Sequence, residues 1–83
     1  MSGTVADVLR RELEVWRDVI RAWSEVQAVI NRLKADTRDV VELIAFAECF
    51  DHTERQIDRA QREIKRLSAS RLLKEYGEPR WMR

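Results

Sequence analysis

VADVLRRELEVWRDVIRAWSEVQAVINRLK, residues 5 to 34, decides the fold of this chain. It carries two parallel apolar stripes where one would normally serve. The first runs Leu9, Leu13, Trp16, Ile20, Trp23, Ile30, and the second Val8, Val15, Val19, Ala22, Val26, Val29, Leu33. Both keep the alternating three-and-four spacing that returns a side chain to one helix face. Side by side they cover close to half of the circumference, whereas a helix packed on one neighbour needs a face only somewhat wider than about 100°. One partner helix cannot cover that much apolar surface.

Working outward, the first helix is expected from about residue 4 to 34. Thr4 stands at its start, and Asp7 favours the positive N-terminal end. Lys34-Ala35-Asp36-Thr37 reads as a short connection, with Asp36 or Thr37 capping the second helix and Asp39 and Glu42 in its first turn. The second helix is expected from about residue 37 to 67, and its pattern can be followed to 76. It is broadly apolar from Val40 to Phe50, then narrows to a single seam of Phe50, Thr53, Ile57, Ala60, Ile64 and Leu67. Ser70 can cap a short extension over 71–76. Gly77 and Pro79 then stop any helix, leaving a tail over 77–83.

Two long helices with a short connection make an antiparallel hairpin. The expected class is therefore all-α, one domain over residues 1–83. Two hairpins related by a two-fold axis would cover the excess stripe as a four-helix bundle, and homodimers are the commonest closed assembly. Leu13, Trp16, Ile20, Trp23, Leu43, Phe46 and Phe50 are the residues expected to carry self-association. The expected assembly resembles in architecture the Rop-type plasmid regulators, hairpins that dimerise into four-helix bundles and bind paired RNA loops. No motif matches theirs, so the resemblance carries no residues over.

Composition agrees with a bundle. The 83 residues are 45% hydrophobic and 37% charged, as in long amphipathic helices. A formal net charge of +1 provides no global field for nucleic acid or an anionic membrane. The longest apolar run, Leu43 to Ala47, is far short of the ~20 residues that span a bilayer. A single Cys49 can form no internal disulfide, which fits a reducing cytoplasm.

Side chains with potential chemistry are few. Glu48 and His52 stand four apart, whereas carboxylate-bridged metal bundles use a Glu-x-x-His pair. Their phase sets them opposite the Phe50/Ile57/Ile64 line, so neither a metal nor a cofactor is expected. There is no Gly-rich phosphate loop and no Ser/His/Asp set to assemble, which argues against an enzyme. Glu12, Gln27, Glu54 and Gln61 interrupt the stripes and are expected at their borders, where single polar residues help to set register.

Arg55, Arg59, Arg62 and Arg66 form a basic row that could track phosphates. Asp51, Asp58 and Glu63 stand four residues from Arg55, Arg62 and Arg59, close enough to neutralise much of it. Trp81 in the tail reads as an aromatic anchor for the bundle or a partner. These features point to a non-enzymatic helical interaction module, with an RNA- or DNA-binding bundle on the Arg row as the alternative.

Overall fold

A computed structural model describes residues 4 to 70 as two α-helices, α1 (Val5–Asp36) and α2 (Val40–Ser68), packed against each other as a hairpin. The expected 71–76 extension, the stop at Gly77 and the tail with Trp81 lie outside the described residues.

Thr4 caps α1: its hydroxyl accepts the Asp7 N–H at 3.2 Å, and Asp7 in turn pairs with Arg10 at 2.6 Å. With no Gly or Pro to end it, α1 runs on to Asp36. The connection is then three residues, Thr37-Arg38-Asp39, later in the chain than expected. The cap of α2 is Asp39, not Asp36 or Thr37. Its carboxylate accepts the Val41 N–H at 2.8 Å, satisfying one of the free donors of the first turn. Thr37 serves the turn instead, accepting the Asp39 N–H at 3.4 Å and donating to the Glu42 carboxylate. Asp is as good a cap as Thr, so the residue nearest the start of the α2 apolar pattern takes the role.

The interhelical seam is an unbroken three-four repeat on both sides. On α1 it takes the first stripe, extended by Ala6, Gln27 and Lys34. On α2 it takes Leu43 and Phe46 followed by the expected line from Phe50 to Leu67. Every one of these positions is buried or half-buried. Spacing of this kind gives a straight-sided seam of the coiled-coil type, with one face of each helix inward. Gln27 is therefore inside the seam, while Glu12, Glu54 and Gln61 are exposed beside it.

The tightest packing is at the end remote from the turn. There Leu13 and Leu67 form a buried pair, with Leu9, Trp16 and Ile64 against it. Burying a leucine of this kind contributes about 1.5–3 kcal/mol. Farther along, Ala60 is fully buried and Thr53 nearly so. The Thr53 hydroxyl would be a liability in an apolar seam, and it is satisfied by donating to the Phe50 carbonyl at 2.6 Å. α2 closes at Ala69, whose N–H reaches the Lys65 carbonyl, and the Ser70 N–H reaches that of Leu67 at 3.0 Å.

Candidate interaction surface

The hairpin consumes one α1 stripe and leaves the other open. Val8, Val15, Val26, Val29 and Leu33 all remain exposed, from 41% at Val26 to 59% at Val15. Ala22 is exposed too, and Val19 is half-buried. The stripe is a second three-four repeat, one residue out of phase with the seam, interrupted only by Glu12. A second apolar patch lies at the start of α2, where Val40, Val41 and Ile44 are exposed.

All seven residues expected to carry self-association lie on the seam between the two helices of the hairpin. Leu13 is fully buried there, while Trp16, Ile20, Trp23, Leu43, Phe46 and Phe50 are only half-buried. Two helices cannot enclose such side chains from both edges, so each keeps an apolar flank towards solvent.

On the edge shared with the open stripe, those flanks form an open groove of about 380 Å³. Trp23, Val26 and Ile30 line it from α1, and Glu48, Cys49, His52 and Thr53 from α2. The Trp23 and His52 rings meet edge to face there, centroids 5.6 Å apart at 77°. This corrects the placement of His52 opposite the α2 seam. The Phe50/Ile57/Ile64 line alone would set His52 on the far face. Thr53, Ala60 and Leu67 belong to the seam equally, and they turn its centre by about 30° towards His52. The Trp23 indole is long enough to cross the remaining gap. Among the described residues, no cluster of three or more His, Cys, Asp or Glu side chains is placed to hold a metal ion.

The groove was missed in the sequence because its walls come from both helices. A signal for it existed in the small Thr53 and Cys49 standing where α2 faces two large side chains, Trp23 and Ile30.

The basic row is on the outside of α2, with Arg55, Arg59, Arg62 and Arg66 all exposed. Three of the four are matched by acids. Arg55 reaches Asp51 at 3.6 Å, and Arg62 pairs with Asp58. Arg66 makes two hydrogen bonds to Glu63, at 2.8 and 3.0 Å. These bonds and the Glu63 charge raise the Arg66 pKa above its ordinary value, and Glu12 on α1 adds a smaller pull. Glu63 was expected to pair with Arg59. It takes Arg66 instead, the order with the acid N-terminal to the base, which suits the helix dipole. Arg59 is thus left without an ion pair among the described residues. Trp81 lies outside the described residues. No described helix is long and apolar enough to cross a membrane.

No protein-family model, curated protein or solved structure matches this chain.

Proposed function

We propose that this chain is a small non-enzymatic interaction module that works as a homo-oligomer in a bacterial or phage cytoplasm. As an adaptor, assembly factor or regulator it would present a helical surface to a protein partner. One observation carries the reading: α1 has a complete seam to α2 and, beside it, an equally regular apolar stripe that stays largely exposed among the described residues. Exposed apolar surface in one contiguous strip is the usual mark of an interface rather than of a monomer's exterior. The half-buried seam residues Trp16, Trp23, Phe46 and Phe50 support a bundle of more than two helices, since added helices would cover their open flanks. A four-helix bundle wants inward apolar residues at the seam and along one adjoining line, which is the pattern of α1.

The alternative, a nucleic-acid-binding bundle on Arg55, Arg59, Arg62 and Arg66, has less behind it. Three of those four cations have acidic partners, and no aromatic residues are interleaved to stack on bases. The two readings separate by salt. Phosphate contacts weaken steeply as salt rises, while an apolar interface tolerates it.

Size-exclusion chromatography with light scattering at micromolar concentration is expected to give at least twice the 9.9 kDa chain mass. The chain mass alone would refute the homo-oligomer. Affinity purification with and without nuclease then tests the partner: capture that nuclease abolishes would favour the Arg row, and Arg59→Glu with Arg62→Glu would remove it.

A further inference from the structure

The open stripe of α1 has a symmetry that states how a second copy would sit on it. Its uninterrupted part is Val15, Val19, Ala22, Val26, Val29 and Leu33, and the intervals four, three, four, three, four read the same in both directions. We propose that this stripe is the site for a second copy of the same chain, with the two α1 helices antiparallel and crossing at the level of Ser24. Val15 then faces Leu33 of the other copy, Val19 faces Val29, and Ala22 faces Val26. The inference rests on the homo-oligomer reading above and adds orientation and register to it.

The orientation follows from the two edges of the stripe. One edge is Leu9, Trp16 and Trp23, the half-buried flank of the seam, with the buried Ile30 continuing it at the groove wall. The other is Arg11, Asp18, Glu25 and Arg32. An isologous two-fold contact between antiparallel helices sets each edge against its own copy. Apolar then meets apolar: Trp23 lies beside Trp23 across the axis, and Trp16 over the groove wall at the level of the buried Ile30. The groove under Trp23 is closed by the other copy's aromatic edge. A parallel pairing would instead lay the tryptophan edge along the charged one.

Glu12 and the charged edge limit the register towards the N-terminus, and pairing all six residues of the stripe limits it in the other direction. Glu12 occupies the stripe's next position towards the N-terminus and is the only break in it. Sliding the contact one layer that way puts its carboxylate opposite Val29, and two layers put it opposite Ala22. Either would strip water from a charge with no partner in the interface. Crossing at Ser24 leaves Glu12 outside, where it already lies in the field of Arg66. It also sets Asp18 against Arg32 twice, with Glu25 against itself once. The one-layer slide sets Arg11 against Arg32 and Asp18 against Glu25, like charges throughout.

The stripe from Val15 to Leu33 is about 27 Å long at 1.5 Å per residue. With the open flanks of Trp16 and Trp23 it would bury on the order of 500 Å² per chain and about 1,000 Å² in all, the lower bound for a specific interface. α2 adds little, because beside Cys49 and His52 of the groove the side it turns this way carries Glu42, Gln56, Arg59 and Glu63.

The test uses single cysteines in a Cys49→Ser chain of full length, oxidised at micromolar concentration, with light scattering on the reduced protein. Crossing at Ser24 brings residue 25 of each copy together and holds the two residues 18 apart. Glu25→Cys should give a covalent dimer, and Asp18→Cys about tenfold less, since alpha-carbons beyond about 7 Å cannot be bridged. A double Asp18→Cys, Arg32→Cys chain should cross-link as Glu25→Cys does. Asp18→Cys linking as well as or better than Glu25→Cys would overturn the register, and a dimer by light scattering would leave the interaction module standing. A reduced chain that is monomeric, with no cross-link at any position, would overturn both.

Discussion

The two ends of the hairpin are built to different specifications. At the end remote from the turn, Leu13 and Leu67 are out of water and Leu9, Trp16 and Ile64 close around them. At the turn end, Leu43 and Phe46 are half-buried, while Val40, Val41, Ile44 and Leu33 stand exposed, Val41 by 74%. The chain spends more apolar side chains at the turn end and buries fewer of them. Two helices suffice for a narrow seam, and they leave a wide apolar end partly uncovered among the described residues.

Substitution at the closed end should have the largest effect. Leu13→Ala removes a fully buried side chain and leaves a cavity, so urea unfolding should lose about 2–5 kcal/mol. For a hairpin this small, that loss should unfold a substantial fraction at 37 °C. A loss below about 1 kcal/mol would mean that the Leu13–Leu67 pair is not the anchor of the fold.

Phe46→Ala makes the matching cut at the turn end. In a lone hairpin a half-buried Phe contributes only part of the roughly 3–5 kcal/mol seen for buried aromatics. The expected loss is therefore smaller than for Leu13→Ala, about 1–2 kcal/mol. If the two losses are equal at high protein concentration and diverge on dilution, another chain is covering Phe46 and the asymmetry belongs to the monomer alone. Asp39→Ala probes the same end through the backbone. It removes the acceptor of the Val41 N–H and should lower stability by about 1 kcal/mol, read as a fall in Tm.

What the sequence disclosed follows the same division. The hairpin and the start of α1 at Thr4 were legible because each depends on local spacing alone. The exact turn was not, since Asp36, Thr37 and Asp39 are all competent caps and no Gly marks the end of α1. The choice depends on where both seams can begin in register, which is a tertiary matter. For the same reason the seven residues expected to carry self-association, four on α1 and three on α2, could be recognised as inward-facing, while their position between α1 and α2 could not. Two stripes of equal regularity compete for one partner, and nothing local ranks them. In the hairpin the stripe with the bulkier Trp16 and Trp23 is inside and the valine stripe is outside. His52 escaped because it joins the groove through the length of an indole on the other helix.

The smallest effect lies on the outer face of α2, where the contrast is between paired and unpaired cations rather than between ends. Arg62 pairs with Asp58 one turn back, and Arg59 makes no ion pair among the described residues. Arg62→Gln should therefore cost about 0.3–0.5 kcal/mol at low salt and nothing measurable at high salt, as exposed helix pairs do. Arg59→Gln should leave the Tm unchanged at either salt, because Gln and Arg have similar helix propensity and no pair is lost. Thermal melts of the two variants at two ionic strengths read this directly. A larger cost at Arg59 than at Arg62 would mean that Arg59 has an acid to meet in the assembled protein. The one cation of the row without an ion pair among the described residues would then lie at an interface.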